Sequence, residues 1–265
     1  MPKASTRAKH RLLLGMIHLP PLPGSPRGAE SLARIESAAL REAGTLLEAG
    51  FDGILVENYG DAPFFPDNVP PVTVSAMTRV ALAVRRLGRF PLGVNVLRND
   101  AAAALSIAAV IEAQFIRVNV HTGVSATDQG ILQGRAHETL RLRKALGVEI
   151  EIWADVQCKH SRPLADVPLE EAARDLAERA GADSLILTGP RTGEPADPGD
   201  LERLAALRLG RPLFVGSGVT EGNLHLYRRS DGAIVGSSVR RRGVAGAPID
   251  PGAARRLAAA WKELT

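Results

Sequence analysis

Glu57, His121, Asp155 and Lys159 are the residues of this sequence whose types suit proton transfer or covalent chemistry. A carboxylate beside an imidazole orients the ring and tunes its pKa, so Glu57, His121 and Asp155 make a candidate acid/base set. Lys159 could form a Schiff base if desolvated; otherwise it is a solvated or phosphate-contacting group. His18, Glu57, His121 and Asp155 are also ordinary ligand types for a divalent metal. Their spacing has no local ligand signature, so no cofactor is expected, and a divalent metal on those four residues is the alternative.

The elements that must position these groups are legible as a long alternation. Apolar segments fall at 12–19, 53–58, 91–97, 115–120, 151–156, 184–189, 212–218 and 232–238. Between them run stretches rich in Ala, Leu, Arg and Glu, such as SLARIESAALREAGTLLEAG and LEEAARDLAERAGA. Eight strands alternating with eight helices predict an α/β fold, a closed (β/α)8 barrel, with a doubly wound open sheet as the alternative. Ser31, Asp100 and Asp200 are expected N-caps. Glycine in EAGFDG and RAGADS suits the left-handed residue that ends many helices.

In such a barrel, chemistry lies where the strands run out into the following helices. The polar residues there are His18, Glu57 with Asn58, Asn95 with Arg98, and Asn119 with His121. The fifth strand offers Asp155, Gln157, Lys159 and His160, and the sixth offers Thr188. Side chains alternate faces along a strand. Met16 and His18 therefore share a face. Ile116, Val118 and Val120 point out, leaving Arg117, Asn119 and His121 inward. Ile150, Ile152, Ala154 and Val156 point out, leaving Glu151, Trp153, Asp155 and Gln157 inward. Buried charge is costly unless paired, so Arg117 is expected to pair with Glu151 or Asp155, as a structural ion pair or as part of the chemistry.

The last two strands end in VGSGV (215–219) and VGSSV (235–239). Small residues let backbone N–H groups approach an anion, and a helix starting after each loop would add its dipole. Many barrels hold a substrate phosphate at these loops. Gly216, Ser217, Gly218, Gly236 and Ser237 are therefore expected anion contacts; the alternative is two tight turns. His18, Asn58, Asn95, Arg98, Asn119, Gln157, His160 and Thr188 are expected to contact the rest of the substrate. The loop at 188–200 looks like a cover whose Arg191 could reach a phosphate. The loop at 58–71 carries Phe64 and Phe65, which suit a lid or a subunit contact in a homo-oligomer. Prolines after His18, in GMIHLPPLPGSP, stiffen the exit of the first strand.

The 265 residues are 45% hydrophobic and 23% charged, the composition of a globular chain, read as a basic tail at 1–11 and one domain at 12–265. The tail lacks the apolar core of an export signal, and no apolar run reaches membrane-spanning length. The net charge is only +4. The arginines are not interleaved with aromatics and no DNA- or RNA-binding motif is present, so nucleic acid is not an expected partner. A single cysteine, Cys158, makes an intrachain disulfide impossible and favours a cytoplasmic location. Cys158 is expected to be a small buried hydrophobe rather than a nucleophile.

GMIHLPPLPGSP, DGILVENYGDAPF, LGVNVLRND, FIRVNVHTGV, ADVQCKHS, VGSGVT and DGAIVGSSV together resemble the BtpA family. The resemblance spans roughly residues 12 to 240. It implies a TIM barrel of the ribulose-phosphate-binding type. It also brings a photosystem I biogenesis role in one branch and an association with sugar-metabolism genes in another. The expected function is that of an isomerase, lyase or transferase acting on a phosphorylated sugar or nucleotide-like metabolite. The alternative is a non-enzymatic assembly factor in peripheral contact with a membrane complex.

Overall fold

A computed structural model describes residues 11–264. Its barrel strands are β1 (Leu12–His18), β2 (Gly53–Glu57), β3 (Leu92–Asn95) and β4 (Phe115–Val118). After β5 (Val124–Thr127) and β6 (Gly130–Gln133) comes barrel strand β7 (Glu151–Asp155), followed by β8 (Ser161–Pro163). β9 (Ser184–Leu187), β10 (Leu213–Val215) and β11 (Gly232–Val235) complete the chain order. Eight of these close a barrel in the order β1-β2-β3-β4-β7-β9-β10-β11, every neighbour parallel. The fold is the expected (β/α)8 barrel.

The outer layer is α1 (Leu32–Ala49), α2 (Pro71–Arg85), α3 (Ala101–Val110), α4 (Ala136–Leu146), α5 (Leu169–Arg174), α6 (Pro198–Ala206) and α7 (Pro251–Glu263). Seven helices, not eight, cover the described barrel. The connection from β10 to β11 holds only a 3-10 turn, Leu224–Tyr227. Ser31 and Asp100 cap α1 and α3 as expected. Asp197, not Asp200, caps α6, since Pro198 starts the helix and Asp200 already lies in its first turn. Gly50 and Gly181 take the left-handed conformation at helix ends.

The strands form because apolar side chains fill both faces. Ile54, Val56, Ile116, Val118, Ile152 and Ala154 pack outward against the helices. Leu14, Met16, Leu55, Phe115, Trp153, Ile186, Phe214 and Ile234 fill the barrel's interior. Phe115, Trp153 and Phe214 stack face to face, with centroids 3.9 and 4.1 Å apart. The neighbouring Gly93 makes room for them: a Cβ there would stand 2.2 Å from the Phe115 ring. This stack plugs the barrel one layer below Arg117, Asp155 and Gly216.

β5, β6 and β8 were not anticipated. They form a small antiparallel sheet beside the mouth, the β5–β6 hairpin pairing with the segment that follows β7. Of the expected basic tail, residues 1–10 lie outside the described residues. Arg11 is not a free tail residue. It donates to the carbonyls of Ser230 and Tyr227 and lies 5.1 Å over the Trp261 ring. Among the described residues, no helix is long and apolar enough to cross a membrane.

Candidate active site

Five barrel strands each deliver an inward residue toward the mouth, two positions beyond the layer that fills the barrel. β1 delivers His18, β2 Glu57, β3 Asn95, β4 Arg117 and β7 Asp155. Glu57 accepts a hydrogen bond from Asn95 Nδ2 at 2.6 Å and stands 3.9 Å from His18 Nε2. Arg117 pairs with Asp155, one of the two partners expected for it. Glu151 instead sits exposed at the far end of β7 and accepts from Trp153 Nε1. Asn119 Nδ2 donates to the second Asp155 oxygen at 2.9 Å.

His18 is buried, and its Nδ1 accepts from the Gly246 N–H at 3.3 Å, which leaves the ring proton on Nε2. Burial, then Arg240, Lys159 and Arg117, push its pKa well below the usual histidine value. Tyr59 lies against the ring with centroids 4.4 Å apart. Burial opposes the charge on Arg117, but Asp155 outweighs it and holds the guanidinium more firmly protonated than usual. Lys159 is half-buried; desolvation, then Arg117, lower its pKa to about 8. Arg98 donates to Cys158 Sγ and to the Lys159 carbonyl. Burial raises the Cys158 thiol, as suits a packing residue rather than a nucleophile.

These groups line two connected spaces. A cleft of about 860 Å³ is bordered by His18, Glu57, Arg98, Arg117, Asn119, Lys159 and His160. A narrow recess of about 30 Å³ adjoins it, bordered by His18, Glu57 and Lys159 together with Gly216, Ser217, Gly218, Gly236 and Ser237. The two glycine loops thus border the same recess as the ionisable groups, and a Cβ on Gly236 would stand 3.1 Å from His18 Cε1. No long helix starts behind either loop: each leads into a 3-10 turn, so the expected helix dipoles are missing.

Several expected contacts lie elsewhere. His121 turns away from the mouth, with Nε2 3.1 Å from the Ala180 carbonyl, because β4 ends at Val118 and the alternation ends with it. Gln157 is exposed beyond the end of β7 and borders neither the cleft nor the recess. Thr188 spends its hydroxyl on the Gln157 carbonyl at 3.0 Å, while its methyl carbon would stand 3.1 Å from a Cβ on Gly216. Asn58 is consumed by its own loop: Nδ2 donates to Asp61 and to the Leu97 carbonyl, and Oδ1 accepts from the Leu97 N–H. Arg191 is exposed, and its neighbours Thr192 and Gly193 border the recess instead. Phe64 lines the cleft while Phe65 is exposed. The divalent-metal alternative loses its geometry with His121, and no cluster of three or more metal-ligating side chains occurs among the described residues.

Other groups at the mouth were missed. Tyr59 had no signal beyond its place after Asn58. Asp128 reaches the cleft from the β5–β6 hairpin, which VSATDQGILQ does announce, through alternation around an Asp-Gln-Gly turn. Thr192 closes the mouth from the loop after β9, its N–H donating to His160 Nε2 at 3.1 Å.

The BtpA family model matches residues 9–263. The chain is 46% identical to the photosystem I biogenesis protein BtpA of Synechocystis, over 91% of this chain and 85% of that one. It is also 46% identical to a protein of Thermococcus kodakarensis, over 95% of both. Among solved structures, N-(5'-phosphoribosyl)anthranilate isomerase from Pyrococcus furiosus aligns with a TM-score of 0.57 at 14% identity, covering 95% of this chain and 99% of that one. KGPDC from Streptococcus mutans aligns with a TM-score of 0.57 at 16% identity, covering 96% and 98%. At such identities the likeness is one of fold.

Proposed function

The chain belongs to the BtpA family, and we propose that this member is an enzyme acting on a phosphorylated sugar or nucleotide-like metabolite. One observation carries the reading. The glycine loops 216–218 and 236–237 and the ionisable groups His18, Glu57 and Lys159 border the same recess at the C-terminal end of the barrel. A purely structural protein gains nothing from that cluster, since buried charge costs stability unless it is used. In this reading the loops hold the phosphate, Arg98 and Asn119 orient the remainder, and His18 with Glu57 handles protons. His160 and Thr192 close the mouth. The resemblance in fold to barrels that act on phosphoribosyl compounds supports the reading by analogy.

Thermal unfolding with inorganic phosphate and with a pentose 5-phosphate tests it. A saturating ligand should raise the midpoint, since a ligand at a hundredfold its Kd adds about 2.7 kcal/mol. Ser237→Asp, which puts a negative charge beside the recess, should abolish the rise. Equal stabilisation of the variant would remove the phosphate site from this place.

The Synechocystis relative's name favours a second reading, an assembly factor for a membrane complex. Exposed Phe65 at the rim is the feature that suits it. Retention on membranes carrying such a complex, lost in Phe65→Ser, with no stabilisation by any phosphorylated compound, would select it over the enzyme.

A further inference from the structure

Lys159 is one of five lysines in a chain that has 28 arginines. Of the described lysines, Lys144 and Lys262 are exposed on α4 and α7. Lys159 alone among them reaches the mouth, where it borders both the open cleft and the glycine-lined recess. Among the described residues, no carboxylate forms an ion pair with its amine. His18 stands 3.9 Å from Glu57 and Arg117 takes both oxygens of Asp155. An arginine would serve better for planar, permanent anion binding, whereas a lysine can release its proton and become a nucleophile.

Resting on the phosphorylated-substrate reading above, we propose that Lys159 captures the carbonyl carbon of that substrate, which is then a phosphorylated aldehyde or ketone. The unprotonated Nζ attacks the carbonyl carbon and a C–N bond forms. The carbonyl oxygen takes one amine proton, giving a carbinolamine. The C–O bond then breaks, the oxygen leaves as water with the second amine proton, and an imine joins Nζ to the substrate carbon. No oxidant or reductant is consumed. His18 Nε2–H and the Glu57 carboxylate border the same recess and are placed to exchange the protons with that oxygen. The local field favours the step. With a pKa of about 8, an appreciable fraction of this amine is unprotonated near neutrality, against less than about 0.1% for an ordinary lysine.

The full chain is incubated with limiting pyridoxal 5'-phosphate or dihydroxyacetone phosphate, reduced with borohydride, and mapped by peptide mass spectrometry. Lys159 should be labelled at least about tenfold faster than Lys144 or Lys262, and inorganic phosphate should compete. Lys159→Arg, which keeps the charge but cannot form an imine, should show no label at this position while retaining the wild-type unfolding midpoint. Labelling spread evenly over the lysines overturns the proposal. Stabilisation by phosphorylated compounds without label on Lys159 also overturns it and leaves the phosphate site standing. Label on Lys159 that an unphosphorylated aldehyde delivers equally well keeps the nucleophile and removes the phosphate site.

Discussion

Arg117 on β4 and Asp155 on β7 meet in two parallel hydrogen bonds, Nε to Oδ1 at 2.9 Å and Nη2 to Oδ2 at 3.0 Å, with both side chains fully buried. The pair is not self-contained. Arg117 Nη1 and Asn119 Oδ1 are buried without a protein partner, and both residues line the cleft. One donor and one acceptor are therefore left over beside the mouth, as a polar ligand would need.

Removing one member of this pair strands the other. Arg117→Met is expected to cost about 3–5 kcal/mol in urea unfolding, and Asp155→Leu a similar amount. The double variant should lose less than the sum, because two apolar side chains can pack on the Trp153 layer below. Simple additivity of the two losses would show that the bidentate pair contributes no coupling.

His18 gives a pH dependence with a definite sign. Its folded pKa lies well below the ordinary value because of burial, then Arg240, Lys159 and Arg117. The unfolded chain therefore binds the proton more readily. His18 costs nothing above its unfolded pKa of about 6.5 and lowers stability as the pH falls below it, by up to about 1.4 kcal/mol per pH unit. His121, lowered mainly by burial, acts in the same direction. His18→Gln should thus flatten, without abolishing, the loss of stability between about pH 6.5 and pH 5. An unchanged slope in chemical-denaturation curves across that window would mean that His18 is protonated in the fold.

Asn58 looks like a ligand contact in the sequence and is a loop clamp in the structure. Its amide ties Asp61 to both backbone groups of Leu97, while Asp61 in turn accepts from the Leu22 N–H. Asn58→Ala should cost about 1–3 kcal/mol from the buried groups it leaves unpaired. It should not weaken anion-induced stabilisation beyond that general loss. A variant of wild-type stability with impaired anion binding would restore Asn58 to the ligand shell.

The same contrast shows how far the sequence could be read. Within a strand the pleat enforces alternation, so the inward positions of His18, Glu57, Asn95, Arg117 and Asp155 follow from period two. β4 ends at Val118, and past Asp155 only the Val156 N–H, donating to the Ile186 carbonyl at 2.9 Å, continues the ladder, so neither His121 nor Gln157 is held to that period by a strand. Asn58 fails for another reason. Its partners lie up to 39 residues away, and no local pattern distinguishes an amide spent on its own loop from one kept for a ligand. The eight-strand frame was legible because each strand needs only its own run of apolar residues. The meeting of the loop after β9 with the glycine loops was not, since it depends on contacts between separate segments.

That meeting sets the last expectation. Ser217 Oγ accepts from the Gly189 N–H at 2.7 Å and donates to the Glu194 carbonyl at 3.0 Å, fastening the loop after β9 over the recess. Gly218 lies beneath the same loop at a φ of +67°, and a Cβ on it would stand 2.2 Å from Pro195 Cα. Ser217→Ala should cost about 1–3 kcal/mol, with the change in amide hydrogen exchange concentrated at 189–196 because the barrel strands keep their own ladders. Gly218→Ala should push the loop away as well, adding backbone strain that the serine variant lacks, and so lose more stability. If both variants exchange as slowly as the wild type at 189–196, the loop is held by its own packing, and Ser217 returns to being an anion contact. If Ser217→Ala speeds exchange there while phosphate still stabilises it, the serine is the latch and the backbone of the glycine loops does the binding.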